Sequence, residues 1–158
     1  MKSLALKNTG IAIINDTIDV KEQKDHGKHW SERIHPKNKE DVGLRLAYLA
    51  LAKDYGLDIV ASGPIFKKYI TSGNTIRIIF EHTGRGLKWR DKNSSNHSFQ
   101  ISNNGSTFVK ANARIDGHTV LLSGISNPRY VKFAWSNIPT VNLVNSSGLP
   151  ASSFRAVP

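Results

Sequence analysis

The sequence of 158 residues contains no cysteine, so it can form no disulfide bond and offers no thiolate to a metal. It also lacks an apolar run near the ~18 residues that a membrane-spanning helix needs, and no membrane contact is predicted. The lysines within residues 1–7 interrupt the N-terminal apolar stretch too early for a secretory signal, so the compartment stays undetermined. With 39% hydrophobic and 22% charged residues, the composition is typical of a globular protein.

Acidic residues are scarce in the second part of the chain. Residues 62–158 hold twelve Lys and Arg against three Asp and Glu, a balance of +9, whereas residues 1–61 hold ten against nine. A positive field of this size attracts polyanions or acidic sugars, and Lys88-Trp89-Arg90 places an aromatic ring between two cations. A solvated basic surface and an acidic-glycan contact are both open interpretations. Nucleic acid is disfavoured, because the sequence contains no recognisable RNA- or DNA-binding module.

Glu32 and His35 form the candidate catalytic pair. A general base presents one imidazole nitrogen to a nucleophile while an acid holds the other nitrogen, and an acid three residues before a histidine suits that arrangement. Pro36 favours an extended backbone at His35, and Asn38 with Asp41 predicts a helix N-cap directly behind it. The alternative is an exposed histidine without a catalytic role, because Glu-x-x-His is a common spacing.

The residues after Asn38 predict one helix from about residue 39 to residue 55, with Gly56 at the C-cap. Its apolar face has four residues at helical spacing, namely Val42, Leu46, Leu49 and Ala50. A face this apolar requires a partner sheet, and only a short β-rich strand at residues 10–14 and the downstream β region are present to cover it. We therefore expect exposed apolar surface, self-association through the helix or low stability in the N-terminal third.

From residue 62 onward the hydrophobic period changes from helical to alternating, which predicts strands. The expected strands cover residues 65–70, 75–80, 99–102, 107–115, 119–123, 130–135 and 141–144. Asp116-Gly117 is the clearest hairpin turn, of type I′, and Trp135 alternates with Phe133 as expected for a sandwich core. The predicted fold class is therefore α+β, with a strand, loop and helix in residues 1–61 and an antiparallel β-sandwich in residues 62–158.

His26 and His29 precede His35 and raise the alternative of a metal cluster. This segment has no helical context and is flanked by lysines, so no metal site is predicted. Trp30 lies in the same polar loop, where it either lines a substrate site or covers the start of the helix.

Several segments resemble one protein family in the same order along the chain. They are residues 8–12, 35–56, 62–64 and 130–139, then Asn142, Asn145 and residues 148–155. Together they resemble the C-terminal portion of the sialate O-acetylesterases, a group of SGNH-hydrolase carbohydrate esterases. The resemblance spans nearly the whole chain, and it implies that residues 1–61 are the C-terminal remnant of an SGNH α/β domain followed by the β-sandwich.

The resemblance implies hydrolysis of O-acetyl esters on sugars by a serine nucleophile, with His35 as the base. Glu32 stands where the family has an aspartate, and it is the implied acid. No cofactor is implied. The Gly-Asp-Ser-like block of the nucleophile is not visible here, so we expect a fragment that depends on a complementing N-terminal SGNH chain, and whether the chain alone is an enzyme stays open. The alternative function is a non-catalytic β-sandwich module that binds acidic glycan or protein.

Overall fold

The computed structural model describes residue 4 and residues 6–17, 36, 38–94, 97–137 and 139–158. This part of the chain contains one helix, α1 (Lys39–Lys53). Its strands are β1 (Ile65–Ser72), β2 (Thr75–Glu81), β3 (Leu87–Trp89), β4 (Phe99–Ser102), β5 (Val109–Lys110), β6 (Asn112–Asp116), β7 (Thr119–Ser123), β8 (Tyr130–Phe133), β9 (Leu143–Asn145) and β10 (Phe154–Ala156). No helix in the described residues is long and apolar enough to cross a membrane.

The strands form two four-stranded antiparallel sheets and one small ribbon. The first sheet has the order β1-β2-β7-β6, the second has the order β10-β8-β4-β5, and β3 pairs with β9. The predicted strand at residues 107–115 is two strands, because the chain passes at Ala111 from β5 in the second sheet to β6 in the first. Antiparallel sheets with one helix confirm the predicted α+β class.

The core of the sandwich comes from the inward faces of both sheets. Burial alternates along β2, where Ile76, Ile78 and Phe80 point inward, as expected for a strand with one buried face. The Phe154 ring stacks on Phe66 of the first sheet with ring centroids 4.4 Å apart. The other central members of this cluster are Phe99, Ile101, Val120, Leu122, Val131, Phe133 and Ala156. A single apolar cluster therefore joins the two sheets.

Helix α1 confirms the prediction at its N-terminal end and differs by two residues at its C-terminal end. The Asn38 side chain accepts a hydrogen bond from the Asp41 amide at 3.0 Å, which makes Asn38 the predicted N-cap. The helix ends at Lys53, and the C-cap is Asp54. Gly56 follows with φ of 69°, the left-handed conformation that glycine adopts without strain.

The predicted strand at residues 10–14 is wrong, because the described chain forms no strand there. A strand needs a neighbouring strand to satisfy its backbone groups. Here the Ile13 carbonyl accepts a hydrogen bond from the Arg45 guanidinium at 2.7 Å instead. The predicted apolar face of α1 is also only partly buried, since Leu46 is 56% exposed whereas Arg45 is buried.

The expectation of exposed apolar surface in the N-terminal third is confirmed. Of twelve exposed large hydrophobic side chains in the described residues, eight lie before residue 61. They are Leu6, Ile14, Leu44, Leu46, Tyr55, Leu57, Ile59 and Val60. Self-association and low stability of this region stay predictions, as does the division into units 1–61 and 62–158.

The hairpin between β6 and β7 has its turn one residue later than predicted. Asp116 pairs with Thr119, so the central residues are Gly117 and His118. Arg77 contributes to this register, because its Nη1 donates to Asp116 Oδ2 at 2.6 Å and to Thr119 Oγ1 at 2.8 Å. The aspartate therefore ends the strand, and Gly117 takes the first central position with φ of 59°.

Candidate functional site

The predicted catalytic pair, Glu32 and His35, lies outside the described residues, as do His26, His29 and Trp30. The described residues that flank this segment locate its end. Pro36 follows His35 directly and borders a cavity of about 290 Å³, and Asn38 caps α1. The segment that carries the predicted pair therefore ends next to the N-terminus of α1, and the roles of Glu32 and His35 stay predictions.

A buried charged cluster lies at this end of the helix. The guanidinium of Arg45 on α1 donates from Nη2 to Asp16 Oδ2 at 3.0 Å and from Nη1 to Asp16 Oδ1 at 2.5 Å, a bidentate pair. Arg90, which follows β3, donates to the same carboxylate at 2.6 Å. Asp41, one turn before Arg45, lies 3.3 Å from Arg45 Nη2. One carboxylate thus links the N-terminal segment, the helix and the β-sandwich.

The electrostatics of this cluster keep Asp16 ionised. Its side chain is only 4% exposed, and burial alone would raise its pKa because it disfavours the charged form. Hydrogen bonds and positive charges from Arg45 and Arg90 outweigh that burial and hold the pKa of Asp16 below its usual value. Asp16 therefore serves as an anionic anchor, and two arginines occupy its oxygens.

Sequence reasoning missed this cluster, although one signal was available. Arg45 follows Val42 by three residues and precedes Leu49 by four, so it lies on the predicted apolar face of the helix. A cation on such a face requires a buried acid. Only the fold identifies that acid as Asp16, 29 residues earlier in the chain.

The cavity next to Pro36 has an apolar wall and one polar side chain of note. It is lined by residues 11–15, Thr17, Pro36 and Ser152. The Asn15 amide donates from Nδ2 to the Ala151 carbonyl and to Ser153 Oγ, both at 3.1 Å. Its buried Oδ1 has no hydrogen-bond partner among the described residues. These contacts attach the N-terminal segment to the chain just before β10.

Two asparagines of the resembling segments have structural roles here. Asn145 is fully buried, and its Nδ2 donates to the carbonyls of Ser62 and His82 at 3.0 Å. Its Oδ1 accepts from the amides of Ser147 and Leu149 at 3.1 Å. Asn142 likewise donates to the Asp91 carbonyl and accepts from the Asp91 amide. These side chains fix loop conformations, and their amide groups are used within the fold.

The aromatic ring and the two cations of residues 88–90 each contact another part of the protein. The Trp89 ring stacks on His97 with centroids 3.9 Å apart. Lys88 Nζ donates to the Ser146 carbonyl at 3.1 Å, and Arg90 is bound to Asp16. The ring and both cations therefore have partners within the protein.

Trp135, in contrast, is an exposed aromatic, and its predicted place in the core is wrong. Its side chain is 55% exposed, whereas Phe133 is fully buried. The alternation breaks because Ala134 has φ of 47°, outside the conformation of a regular strand. Trp135 instead borders a cavity of about 300 Å³, together with Ser98, Gln100, Lys110 and Thr140.

The described residues contain no group of three His, Asp or Glu side chains that could hold a metal ion. The polar groups described near the N-terminal part of α1 are the arginine-bound Asp16 carboxylate and the Asn15 amide. Neither group acts as a nucleophile in this arrangement, since Asp16 is held by two cations.

No protein-family model matches the chain, and no curated protein matches it. The chain is similar to the crystal structure of a carbohydrate acetylesterase from Xanthomonas citri, with a TM-score of 0.83 and 35% sequence identity. The match covers 98% of this chain and 34% of that esterase, so the chain spans about a third of its length. The predicted resemblance to a carbohydrate esterase is confirmed in this general form.

Proposed function

We propose that this chain is the C-terminal part of a carbohydrate esterase of the sialate O-acetylesterase kind, which removes O-acetyl groups from sugars. The observation that carries the proposal is the 35% identity to a carbohydrate acetylesterase over 98% of this chain. The family resemblance of residues 35–56 and 130–155 supports the sialate O-acetylesterase assignment. Residues 1–61 would then belong to an SGNH domain, and residues 62–158 would form its appended sandwich.

The chemistry requires a serine from another part of the active site. Its hydroxyl attacks the acetyl carbonyl while His35 takes the proton, and His35 then returns that proton to the departing sugar oxygen. Water hydrolyses the acetyl-serine in a second step with His35 again as the base. Glu32 orients the imidazole and stabilises its protonated form. No cofactor takes part in these steps.

Two exposed leucines of α1 suggest where the remainder of such an enzyme docks. Leu44 and Leu46 are 42% and 56% exposed, although the same helix is anchored by the Arg45–Asp16 pair. Apolar side chains on a fixed helix favour contact with a further apolar layer. We propose that the complementing SGNH chain packs against these two leucines, which flank Arg45 on α1, and supplies the serine.

A chimaera tests the proposal. In it, this chain replaces the matching third of the Xanthomonas citri esterase, and acetate release is measured with O-acetylated sialate and with an acetylated neutral sugar. A folded chimaera should release acetate, and His35→Ala should lower kcat by about 10³-fold or more because the base is lost. Glu32→Gln should cause a smaller loss. Lys68→Gln, on the exposed face of β1, is the matched control.

The outcomes separate the parts of the proposal. A folded chimaera that is unaffected by His35→Ala contradicts the role of His35, and a folded chimaera that releases no acetate contradicts the esterase function. Preference for the acetylated neutral sugar contradicts the sialate assignment only. Hydrolysis by the isolated chain, with one serine labelled by a fluorophosphonate probe, contradicts the need for a complementing chain.

A further inference from the structure

The outward face of the second sheet carries cations on three of its four strands. Arg155 on β10 pairs directly with Lys132 on β8, Lys132 pairs with Gln100 on β4, and Gln100 pairs with Lys110 on β5. Directly paired residues project from the same face of a sheet. These four residues, here called the cationic row, therefore cross the whole sheet, a span of about 14 Å at ordinary strand spacing.

Nothing described in the protein neutralises this row. The strands of the second sheet contain no aspartate or glutamate, and no described carboxylate lies within ion-pair distance of its three cations. The first sheet differs, because Arg77 pairs with Asp116 and Lys67 pairs with Glu81. The three cations of the row therefore have no ion-pair partner among the described carboxylates.

An aromatic ring orients one cation of the row, Lys132. The ammonium of Lys132 lies 3.7 Å from the centroid of the Phe108 ring, a cation–π contact that orients the amine. An oriented ammonium loses less conformational freedom when it meets an anion than a fully mobile lysine does.

The cavity beside Trp135 is continuous with the row, because Gln100 and Lys110 line both. Its geometry is fixed by the backbone. The Ala134 amide donates to the Ser98 carbonyl at 3.0 Å, and both residues have positive φ, 47° and 55°. Such conformations cost energy in residues other than glycine, and the observed outlier directs the indole outward.

We propose that the cationic row and the Trp135 cavity together bind a carboxylate-bearing oligosaccharide. The carboxylates would meet Lys110, Lys132 and Arg155, as charge-assisted hydrogen bonds favour. The apolar C–H face of a sugar ring would lie against the Trp135 indole, which offers a large apolar surface with a polar edge. Gln100 lies between the cations and Trp135, and its side-chain amide would form hydrogen bonds with sugar hydroxyls.

This inference rests on the proposed function only for the choice of carbohydrate as the ligand class, and it adds a binding surface for an acidic oligosaccharide on the second sheet. The surface lies on β4, β5, β8 and β10 and includes neither Glu32 nor His35. Its binding is therefore measured without any ester hydrolysis, and its failure is distinguishable from failure of the esterase proposal.

The test is isothermal titration of the full chain with tetragalacturonate, with its fully methyl-esterified form as the uncharged control ligand. Binding should be at least ten-fold tighter for the acid form, and it should weaken as salt is raised. Trp135→Ala should weaken it about ten-fold, and Lys110→Gln or Lys132→Gln about five-fold each, as the loss of one anchor predicts. Lys68→Gln, an exposed lysine of the first sheet, should leave it unchanged.

Three results would overturn the inference. They are equal binding of the acid and the methyl ester, an equal loss with Lys68→Gln, and no binding of tetragalacturonate at low salt. A ten-nucleotide single strand of DNA is titrated in parallel. Tighter binding of the DNA with the same loss in the Trp135 variant would assign the surface to nucleic acid and reject the oligosaccharide. Circular dichroism melting curves confirm that each variant is folded.

Discussion

The β-sandwich and the N-terminal region with its helix are stabilised in different ways. Apolar burial dominates in the sandwich, and an ion pair anchors the helix. In the sandwich, the aromatic and branched side chains of both sheets share one buried cluster. The helix instead buries Arg45, is tied by the Asp16 carboxylate, and leaves Leu44 and Leu46 exposed. A layer attached by polar contacts, with apolar side chains facing outward, is what we expect of part of a larger domain. The sandwich instead has its buried apolar cluster between its own two sheets.

The largest effect is expected in the sandwich core. Phe133 is fully buried, and its ring centroid lies 4.6 Å from that of Phe99 and 5.8 Å from that of Phe154. Phe133→Ala should lower the free energy of unfolding by about 3–5 kcal/mol, because it removes apolar burial and leaves a cavity. Urea denaturation followed by tryptophan fluorescence measures it. The matched control, Val109→Ala at an exposed position, should change stability by less than about 0.5 kcal/mol.

The second effect concerns the anchor between the two regions. Asp16→Asn removes the charge that pairs with Arg45 and Arg90. Removing one partner of a buried ion pair should lower the free energy of unfolding by about 3 kcal/mol. Hydrogen exchange should show faster exchange of the amides of α1, while the amides of β2 and β7 keep their protection. Equal loss of protection in both regions would contradict the separation drawn above. Asp58→Asn, an exposed acid that follows the helix, is the control.

The third effect compares one glycine from each region. A Cβ on Gly63 would lie 1.9 Å from the Pro150 carbonyl oxygen, whereas a Cβ on Gly43 of α1 would meet nothing within 4 Å. Gly63→Ala should therefore destabilise the protein by about 1–3 kcal/mol, because backbone has to move. Gly43→Ala should stabilise the helix by about 0.5–1 kcal/mol. Thermal melting curves of both variants check the opposite signs.

The smallest effect is the pH dependence of the same anchor. Folding lowers the pKa of Asp16, so its carboxylate contributes stability at a pH above its unfolded pKa. That contribution is lost as the pH falls below about 4 and through the folded value. Protection of the α1 amides should therefore fall between neutral and acidic pH more steeply in the parent chain than in Asp16→Asn. Parallel curves for the two proteins would show that another group is responsible.

The local features of this fold were accessible from the sequence. The N-cap at Asn38 and the strands at residues 99–102 and 119–123 follow from capping chemistry and hydrophobic alternation, which act between near neighbours. Strands β3 and β10 are absent from the prediction, and each has only three residues, too few to display a period. The three-residue β9 was predicted only as part of a longer apolar run at residues 141–144. The pair of Arg45 with Asp16 was missed because the partner is distant in the chain.

The candidate functional residues also fall into those that local sequence predicts and those that depend on the fold. Glu32 and His35 were predicted from spacing and family resemblance, and they lie outside the described residues. The exposed Trp135 could not be predicted, because its direction depends on the positive φ of Ala134 and on the bond from Ala134 to Ser98. The sequence located the positive charge in residues 62–158 but could not show which cations are paired.

The sequence by itself determined the α+β class, the helix start at Asn38, most strands of the sandwich and the excess of positive charge in the second part of the chain. These depend on periodicity, capping and composition, which are properties of neighbouring residues. The tertiary structure alone decided that residues 10–14 form no strand, that Asp16 binds two arginines, and that Lys110, Lys132 and Arg155 share one open face. Each of these depends on strand pairing and burial between distant segments, which no local pattern contains.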